Sequence, residues 1–254
     1  KGDVMRRDLT INALFYDMDK AEIVDLVGGI KDLKNKTIRT VGDAQERFDE
    51  DPLRKLRALR FAGSVGGRMD NEVAAAIKND PSLKGVSSER IRDEFIKGIK
   101  KAKNTKKYLE LSKNLRILPL ILPGFNINLR FTKSNDYIVQ IANLLRNENY
   151  QRVIDGLKGL KYTVQEVRDI SFLIKLINFK PNDIYNMKIE QKNTKLTNKQ
   201  MSEWDKLIST DVMKIWNFKL SVKGGDLAKQ GLKGKEIQDK MKELEMNLFL
   251  GKSK

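Results

Sequence analysis

Arg47-Phe48-Asp49-Glu50-Asp51-Pro52-Leu53-Arg54-Lys55-Leu56-Arg57-Ala58-Leu59-Arg60-Phe61 is the stretch from which the fold is read. Pro52 interrupts the run before it, and proline is favoured at the first position of a helix, where no partner for its missing N–H is needed. Asp51 just ahead of it suits an N-cap. The pattern predicts a helix from Pro52 through Ala62, ended by Gly66-Gly67. On such a helix Asp51 and Arg54 lie about 60° apart on one face, and Arg57 falls about 120° from Asp51, nearer Arg54.

Upstream the period is different. Leu9, Ile11, Ala13 and Phe15 alternate with Thr10, Asn12, Leu14 and Tyr16, which predicts a strand. Asp17-Met18-Asp19-Lys20 reads as a turn and Glu22 to Val27 as a second strand, so the pair reads as a hairpin. Ile30 to Leu33 reads as a helical turn, and Thr37 to Val41 as a third strand. Gly28, Gly29 and Gly42 read as turn or hinge glycines between this piece and the helices. Asp43 with Glu46 resembles a capping box and opens the helical part. Downstream, helical spacing covers 71–78, 88–99, 106–122, 134–147, 149–158, 163–178 and 199–218, and Glu236 to Leu250 forms a final amphipathic helix. No strand is predicted beyond about residue 45. The fold class is α+β, mostly α: a small β-containing head remnant followed by a long helical region.

The 254 residues contain no cysteine and no histidine. That excludes disulfides, thiolate or imidazole metal sites, and any Ser-His-Asp triad or Cys-His pair. Chemistry must come from Asp, Glu, Lys, Arg, Ser, Thr or Tyr, or from a hard metal held by oxygens. Lys plus Arg number 50 against 34 Asp plus Glu, for a net +16. Residues 101–254 hold 30 basic and 16 acidic side chains, and so carry +14 of that charge. A polyanion is the expected partner, with nucleic acid leading and a merely solubilising lysine surface the alternative. No apolar run approaches the roughly 18 residues of a membrane span.

Four elements stand in order: Arg6-Arg7-Asp8-Leu9-Thr10-Ile11-Asn12-Ala13; Asp25-Leu26-Val27-Gly28-Gly29 leading to Ile38-Arg39-Thr40-Val41-Gly42; the Glu50-Asp51-Pro52-Leu53-Arg54 helix; and Ser87-Ser88-Glu89-Arg90-Ile91-Arg92-Asp93-Glu94-Phe95. Each alone is a weak signal. In this order and spacing they resemble the bacterial and eukaryotic (class II) tRNA nucleotidyltransferase and poly(A) polymerase family. The resemblance covers residues 1–100 and returns at Leu220 to Leu227 and Gly231 to Ile237, while 101–219 fit by helical character and charge. Its implied domains are a head remnant over 1–42, a neck with base recognition over 43–105, an RNA-binding body over 106–219 and a tRNA-binding tail over 220–254.

The resemblance implies a nucleotide site. Asp8 would accept from a ribose hydroxyl, with Arg6 and Arg7 on phosphate oxygens. Asn12 would contact the nucleotide or satisfy buried backbone. Asp51 and Arg54 would act as a protein template: the carboxylate accepts from an exocyclic amine and the guanidinium donates to ring acceptors. Cytosine and adenine fit that edge, whereas guanine and uracil put an N–H where an acceptor is needed. Glu50 would position Arg54, and Arg57 and Arg60 would complete the nucleotide-binding set. Ser88, Glu89 and Arg90 are expected to organise a helix start, with Glu89 in structural pairs with Arg90 or Arg92. Gly66-Gly67-Arg68 departs from the family, which usually has one glycine there.

Nucleotide transfer in this family needs Mg²⁺ held by an Asp-x-Asp strand that precedes the Arg-Arg-Asp motif. Here Asp17-Met18-Asp19 follows that motif and reads as turn chemistry. The metal-binding carboxylates are therefore expected outside this stretch of chain: cleaved away, encoded separately and acting in trans, on a longer chain of which this is a part, or lost. The implied function is a cytoplasmic tRNA nucleotidyltransferase adding C and A from CTP and ATP to the tRNA 3′ end. A poly(A) polymerase, an enzyme adding part of the trinucleotide, or a non-catalytic RNA-binding subunit is the alternative.

Overall fold

In the computed structural model, which describes residues 3–130 and 132–252, the strand expected over Leu9–Tyr16 begins only at Leu14. Strand β1 (Leu14–Asp17) pairs antiparallel with β2 (Glu22–Asp25), Leu14 lying opposite Asp25 and Asp17 opposite Glu22. Thr10–Asn12 is instead a 3₁₀ turn. Thr10 is the cause: its hydroxyl donates to Asp32 Oδ2 at 2.6 Å, so Leu9 and Thr10 are both buried and the alternation fails. The hairpin turn is tied as its composition predicts, Asp17 Oδ1 accepting from the N–H groups of Asp19 and Lys20.

Helix α1 (Gly29–Asn35) starts on a backbone nest. Asp25 Oδ1 accepts from the N–H groups of Val27, Gly28 and Gly29, and Oδ2 from that of Ile30, all within 3.2 Å. Burial raises the Asp25 carboxyl, but these four donors outweigh it and hold it below the usual carboxylate range. Gly28 takes the left-handed φ of +81° that this turn requires, and a Cβ on Gly29 would collide with the Thr10 carbonyl. The Gly28-Gly29 pair is therefore a locked turn inside the head, which corrects its reading as a hinge. Gly42, two residues ahead of helix α2 (Ala44–Glu50), is the glycine at the junction.

Asp43 caps α2, accepting from the Glu46 N–H at 2.9 Å. Helix α3 (Leu53–Val65) begins one residue after Pro52 and closes at Gly66 in the left-handed conformation. Strand β3 (Thr37–Ile38) then gains a parallel partner, β4 (Arg68–Met69). This overturns the expectation of no strand beyond residue 45. Two residues are too few to show a period, and the pairing depends on Gly67, where any Cβ would strike the Lys36 carbonyl. Helices α4 (Asn71–Asn79) and α5 (Ser88–Lys101) complete the neck, and α3 packs on α5 and on α6 (Thr105–Asn114). Phe48, Leu56, Leu59, Phe95 and Ile99 are among the side chains buried here, with Tyr108 of α6.

The body and tail are helical, as expected, but more finely divided. The spans read as 106–122 and 199–218 each split: α6 is followed by α7 (Leu118–Ile121), and α12 (Asn198–Asp205) by α13 (Val212–Asn217). The second break is fixed by Asp205, whose Oδ1 accepts from the Val212 and Met213 N–H groups. Helices α8 (Tyr137–Leu144), α9 (Tyr150–Gly159) and α10 (Val164–Ile177) fall where the spacing put them. Helix α11 (Ile184–Gln191) escaped prediction because its apolar stripe is thin: Ile184 and Met187 are buried, while Ile189 is exposed. Helices α14 (Gly224–Lys229) and α15 (Lys235–Phe249) form the tail. One hydrophobic cluster runs from Leu9 and Ile38 through neck and body to Phe249, whose ring meets Phe179 and Phe218 edge-on. Among the described residues no helix is long and apolar enough to cross a membrane.

Candidate nucleotide site

The expected site residues divide between the head turn and the α2–α3 corner, and the structure joins them through one ion pair. Asp8 is 8% exposed and directs Oδ2 at Arg57 Nε, 2.5 Å away across the head–neck boundary. Its Oδ1 accepts from the Leu9 N–H at 2.9 Å and from Asn12 Nδ2 at 3.3 Å. Asn12 thus holds Asp8. Burial raises the Asp8 carboxyl, but the hydrogen bond and charge of Arg57, with the Asn12 and Leu9 donors, outweigh it and bring it below the usual range. Arg57 is raised in turn: burial lowers it, the Asp8 bond and charge raise it, and the charges of Glu94 and Asp51 add.

The sign of this linkage sets a pH dependence. A carboxyl lowered on folding contributes stability that is fully present above its unfolded value, about 3.9, and is lost as the pH falls through the lower folded value. Asp8→Asn removes that contribution. Unfolding by denaturant at stepped pH is expected to show the variant less stable than the parent at pH 7, with the gap closing below pH 4. A constant gap at all pH values would refute the linkage.

The other two residues of the first motif turn elsewhere. Arg7 pairs with exposed Asp3 at 2.9 Å and lies over the Phe15 ring, and Arg6 is exposed. Neither is brought against Asp8.

At the corner, Asp51 is held at both oxygens. Oδ1 accepts from the Leu53 N–H at 3.1 Å, and Oδ2 pairs with Arg90 Nη2 of α5 at 2.8 Å. It does the work of a cap from one position further out than a regular N-cap. A carboxylate has about four lone-pair sites, so one further donor can still be accepted. Arg54 is fixed by Glu50, as the motif implied: Nη1 donates to Glu50 Oε2 at 2.5 Å and to the Arg47 carbonyl at 3.2 Å. Arg47 closes the clamp from the other side, pairing with Glu50 Oε1 at 2.5 Å and donating to the Met5 carbonyl at 3.1 Å. Arg54 Nε and Nη2 have no partner among the described residues and remain as donors. The corner therefore offers an acceptor and a donor pair whose geometry is set before any ligand arrives.

Arg60 does not join it. Its Nε pairs with buried Glu94, between α3 and α5. Arg47 and Arg90 are the members that the sequence did not reveal. The Ser87-to-Phe95 motif was visible, and Ser87 caps α5 by accepting from the Arg90 N–H. Yet Arg90 pairs with Asp51, 39 positions away, and Arg92 pairs with Asp93. The expected pairs with Glu89 do not form among the described residues. Spacing along one helix cannot show a partner on another.

Comparison with known proteins finds similarity in both sequence and fold. Residues 1–39 match the family model described as the poly A polymerase head domain, and residues 68–128 match one described as the probable RNA and SrmB-binding site of polymerase A. The CCA-adding enzyme of Lactobacillus helveticus is 50% identical over 96 residues, which is 37% of this chain and 24% of that one. The CCA-adding enzyme of Enterococcus faecalis is 50% identical over 98 residues, 38% of this chain and 24% of that one. The match thus spans about a quarter of the length of these relatives. A crystal structure of the Bacillus stearothermophilus CCA-adding enzyme in complex with CTP aligns with 98% of this chain and 69% of its own at a TM-score of 0.70 and 20% identity. The Thermotoga maritima CCA-adding enzyme complexed with tRNA aligns with 100% and 70%, at a TM-score of 0.66 and 20% identity. The fold is that of a nucleotidyltransferase head piece with a helical neck, body and tail. In sequence, residues 1–39 and 68–128 are similar to domains of poly A polymerase, and a stretch of about a hundred residues is similar to CCA-adding enzymes.

Proposed function

We propose that this chain is the base-selecting and RNA-binding part of a cytoplasmic tRNA nucleotidyltransferase that adds C and A to the tRNA 3′ end from CTP and ATP. The observation that carries the proposal is the clamped Asp51–Arg54 corner beside the Asp8–Arg57 pair. Asp51 would accept from the exocyclic amine of cytosine or adenine, and the unpaired donors of Arg54 would meet the neighbouring ring acceptor. Guanine and uracil would leave Arg54 facing an N–H. Asp8 would accept from the ribose, with Arg57 and the exposed Arg6 and Arg7 near the phosphates. The relatives' names, and the CTP and tRNA complexes of the structural neighbours, support the substrate class. The basic residues of 106–219 and of the tail over 220–254 would take the tRNA backbone.

Mg²⁺ does not fit the residues described here. Asp17 of the Asp-x-Asp sequence spends Oδ1 on its own turn, and among the described residues no group of three or more carboxylates converges. The metal ligands would come from the family's Asp-x-Asp segment, on the same chain or a separate one. The residues present bind and orient the nucleotide.

Two measurements test the proposal. Titration of the chain with each of the four nucleoside triphosphates is expected to show CTP and ATP bound in preference to GTP and UTP. A tRNA transcript lacking its 3′ terminus is expected to be retained at low salt and released steeply as salt rises. Equal affinity for all four nucleotides would remove the template role, and a tRNA that is never retained would remove the RNA-binding role.

A further inference from the structure

At the junction of body and tail lies a cavity of about 480 Å³, within the roughly 300–1,000 Å³ range of small-ligand sites. Its lining includes Lys188, Gln191, Lys192, Trp216, Phe218 and Lys219, and carries no carboxylate. Trp216 is half-buried and fixed at three points. Its indole N–H donates to Asn198 Oδ1 at 2.7 Å. Its backbone carbonyl accepts from Lys188 Nζ at 2.7 Å and from Gln191 Nε2 at 3.2 Å. Lys188 is 8% exposed and also donates to Gln191 Oε1 and to the Ile215 carbonyl. All three of its donors are thereby used on neutral acceptors, and it makes no ion pair among the described residues. Burial lowers its ammonium to about 8, with no carboxylate nearby to oppose that.

A helix-end cap does not require an aromatic ring held rigid at the mouth of a cavity, nor two further lysines on its rim. That combination matches one chemistry: a planar base for the ring, and a phosphate for the exposed ammonium groups of Lys192 and Lys219. We infer that this cavity holds one unstacked nucleotide of the bound RNA, its base against Trp216 and its phosphate between Lys192 and Lys219. Lys188 is a positioning residue, since its donors are spent on Gln191 and on the Ile215 and Trp216 carbonyls and so fix the Trp216 backbone. The inference rests on the reading of RNA as the partner, and adds to it a fixed contact in the half of the chain where the sequence offers no motif.

Fluorescence provides the test, because the chain has two tryptophans. Trp204 is fully buried, with its N–H on the Leu173 carbonyl, so quenching by RNA reads Trp216. Titration with the tRNA transcript is expected to quench the emission, and AMP or inorganic phosphate at equal concentration to leave it unchanged. Trp216→Ala is expected to weaken tRNA binding tenfold or more, the size of one lost stack, and Trp216→Phe to restore most of it. Lys192→Glu with Lys219→Glu is expected to flatten the salt dependence of tRNA binding by between one and two units of log–log slope. All variants are expected to keep CTP and ATP affinity, which reads the Asp51–Arg54 corner separately. If the parent binds tRNA and Trp216→Ala and the double variant bind it equally well, the cavity is not an RNA contact and the inference falls while the proposed function stands. If AMP alone quenches and saturates, the site takes a free mononucleotide and the inference falls likewise. If the parent retains no tRNA, both fall together.

Discussion

Arg54→Ala is expected to cut the preference for CTP over UTP by about tenfold or more, the cost of one unpaired polar group, and to leave the part that Asp51 imposes. The reasoning starts from what each base offers on its pairing edge. Cytosine has an amine beside an acceptor ring nitrogen, and uracil a carbonyl beside a ring N–H. Arg54 donates from Nε and Nη2, the groups that Glu50 and the Arg47 carbonyl leave free. Cytosine satisfies them, and uracil opposes them with another donor. A polar group left unpaired in a desolvated contact costs about 1–3 kcal/mol, and with Asp51 facing the uracil carbonyl two such losses coincide. Removing the guanidinium leaves nothing to oppose the uracil N–H, so UTP gains while CTP loses. Glu50→Ala should show the same effect more weakly, because Arg54 keeps its donors but loses its fixed direction. Competition titrations of labelled CTP with unlabelled UTP, for parent and variants, measure it. A variant that loses affinity for CTP and UTP by the same factor would show that Arg54 binds without selecting.

Arg90 extends the same argument. It holds Asp51 Oδ2 from a different helix, and so fixes the acceptor as Glu50 fixes the donor. Both clamps combine groups more than a third exposed with groups less so, and such pairs are worth little as stability. Their value lies in orientation, since a selecting pair that could swing would accept any edge.

The neck was legible in the sequence because Asp51, Pro52 and the leucine spacing dictate a helix whatever surrounds them. Asp51, Arg54 and Glu50 read as close together on one helix, whereas the structure brings them together across a corner: Glu50 ends α2, Asp51 is extended, and Arg54 lies in the first turn of α3. What the sequence withheld was every contact made across the fold. Thr10 looks like the outward residue of a strand until its hydroxyl is seen on Asp32. Gly28-Gly29 looks like a hinge until Asp25 is seen to hold four consecutive N–H groups around it. Strand β4 exists because Gly67 lets two residues approach Lys36, and no period can show in two residues. In the body the charge was plain, but charge gives no position. Trp216 became a candidate only when Lys188, Gln191 and Asn198, from two different helices, were seen to converge on it.

Arg60 is where reading by helix face misleads most, and it supports the largest stability prediction. On a straight helix it continues the basic series of Arg54 and Arg57, which suggests a third nucleotide contact. The structure instead turns it onto Glu94, with the Arg60 side chain 11% exposed and that of Glu94 5%. Removing one partner of a buried pair leaves the other charged and unpaired, and costs about 3–5 kcal/mol. Arg60→Met is therefore expected to lower the midpoint of thermal unfolding by about 10 °C, at roughly 2–4 °C per kcal/mol for a chain of this size. Glu94→Leu is expected to do much the same. The double variant is expected to recover most of the loss, because a well-packed apolar pair substitutes for a buried ion pair at little cost. A structural pair and a nucleotide contact differ in this cycle. If Arg60 met phosphate, Arg60→Met would weaken CTP binding whether or not Glu94 was also replaced. If it serves α3–α5 packing, CTP affinity returns together with the thermal midpoint in the double variant. Because α3 carries Arg54 and Arg57 while α5 carries Arg90, the Arg60–Glu94 pair also sets the separation of the two helices from which Asp51 is approached. The single variants are thus expected to blunt CTP-over-UTP selection below their unfolding midpoint, and the double variant to restore it.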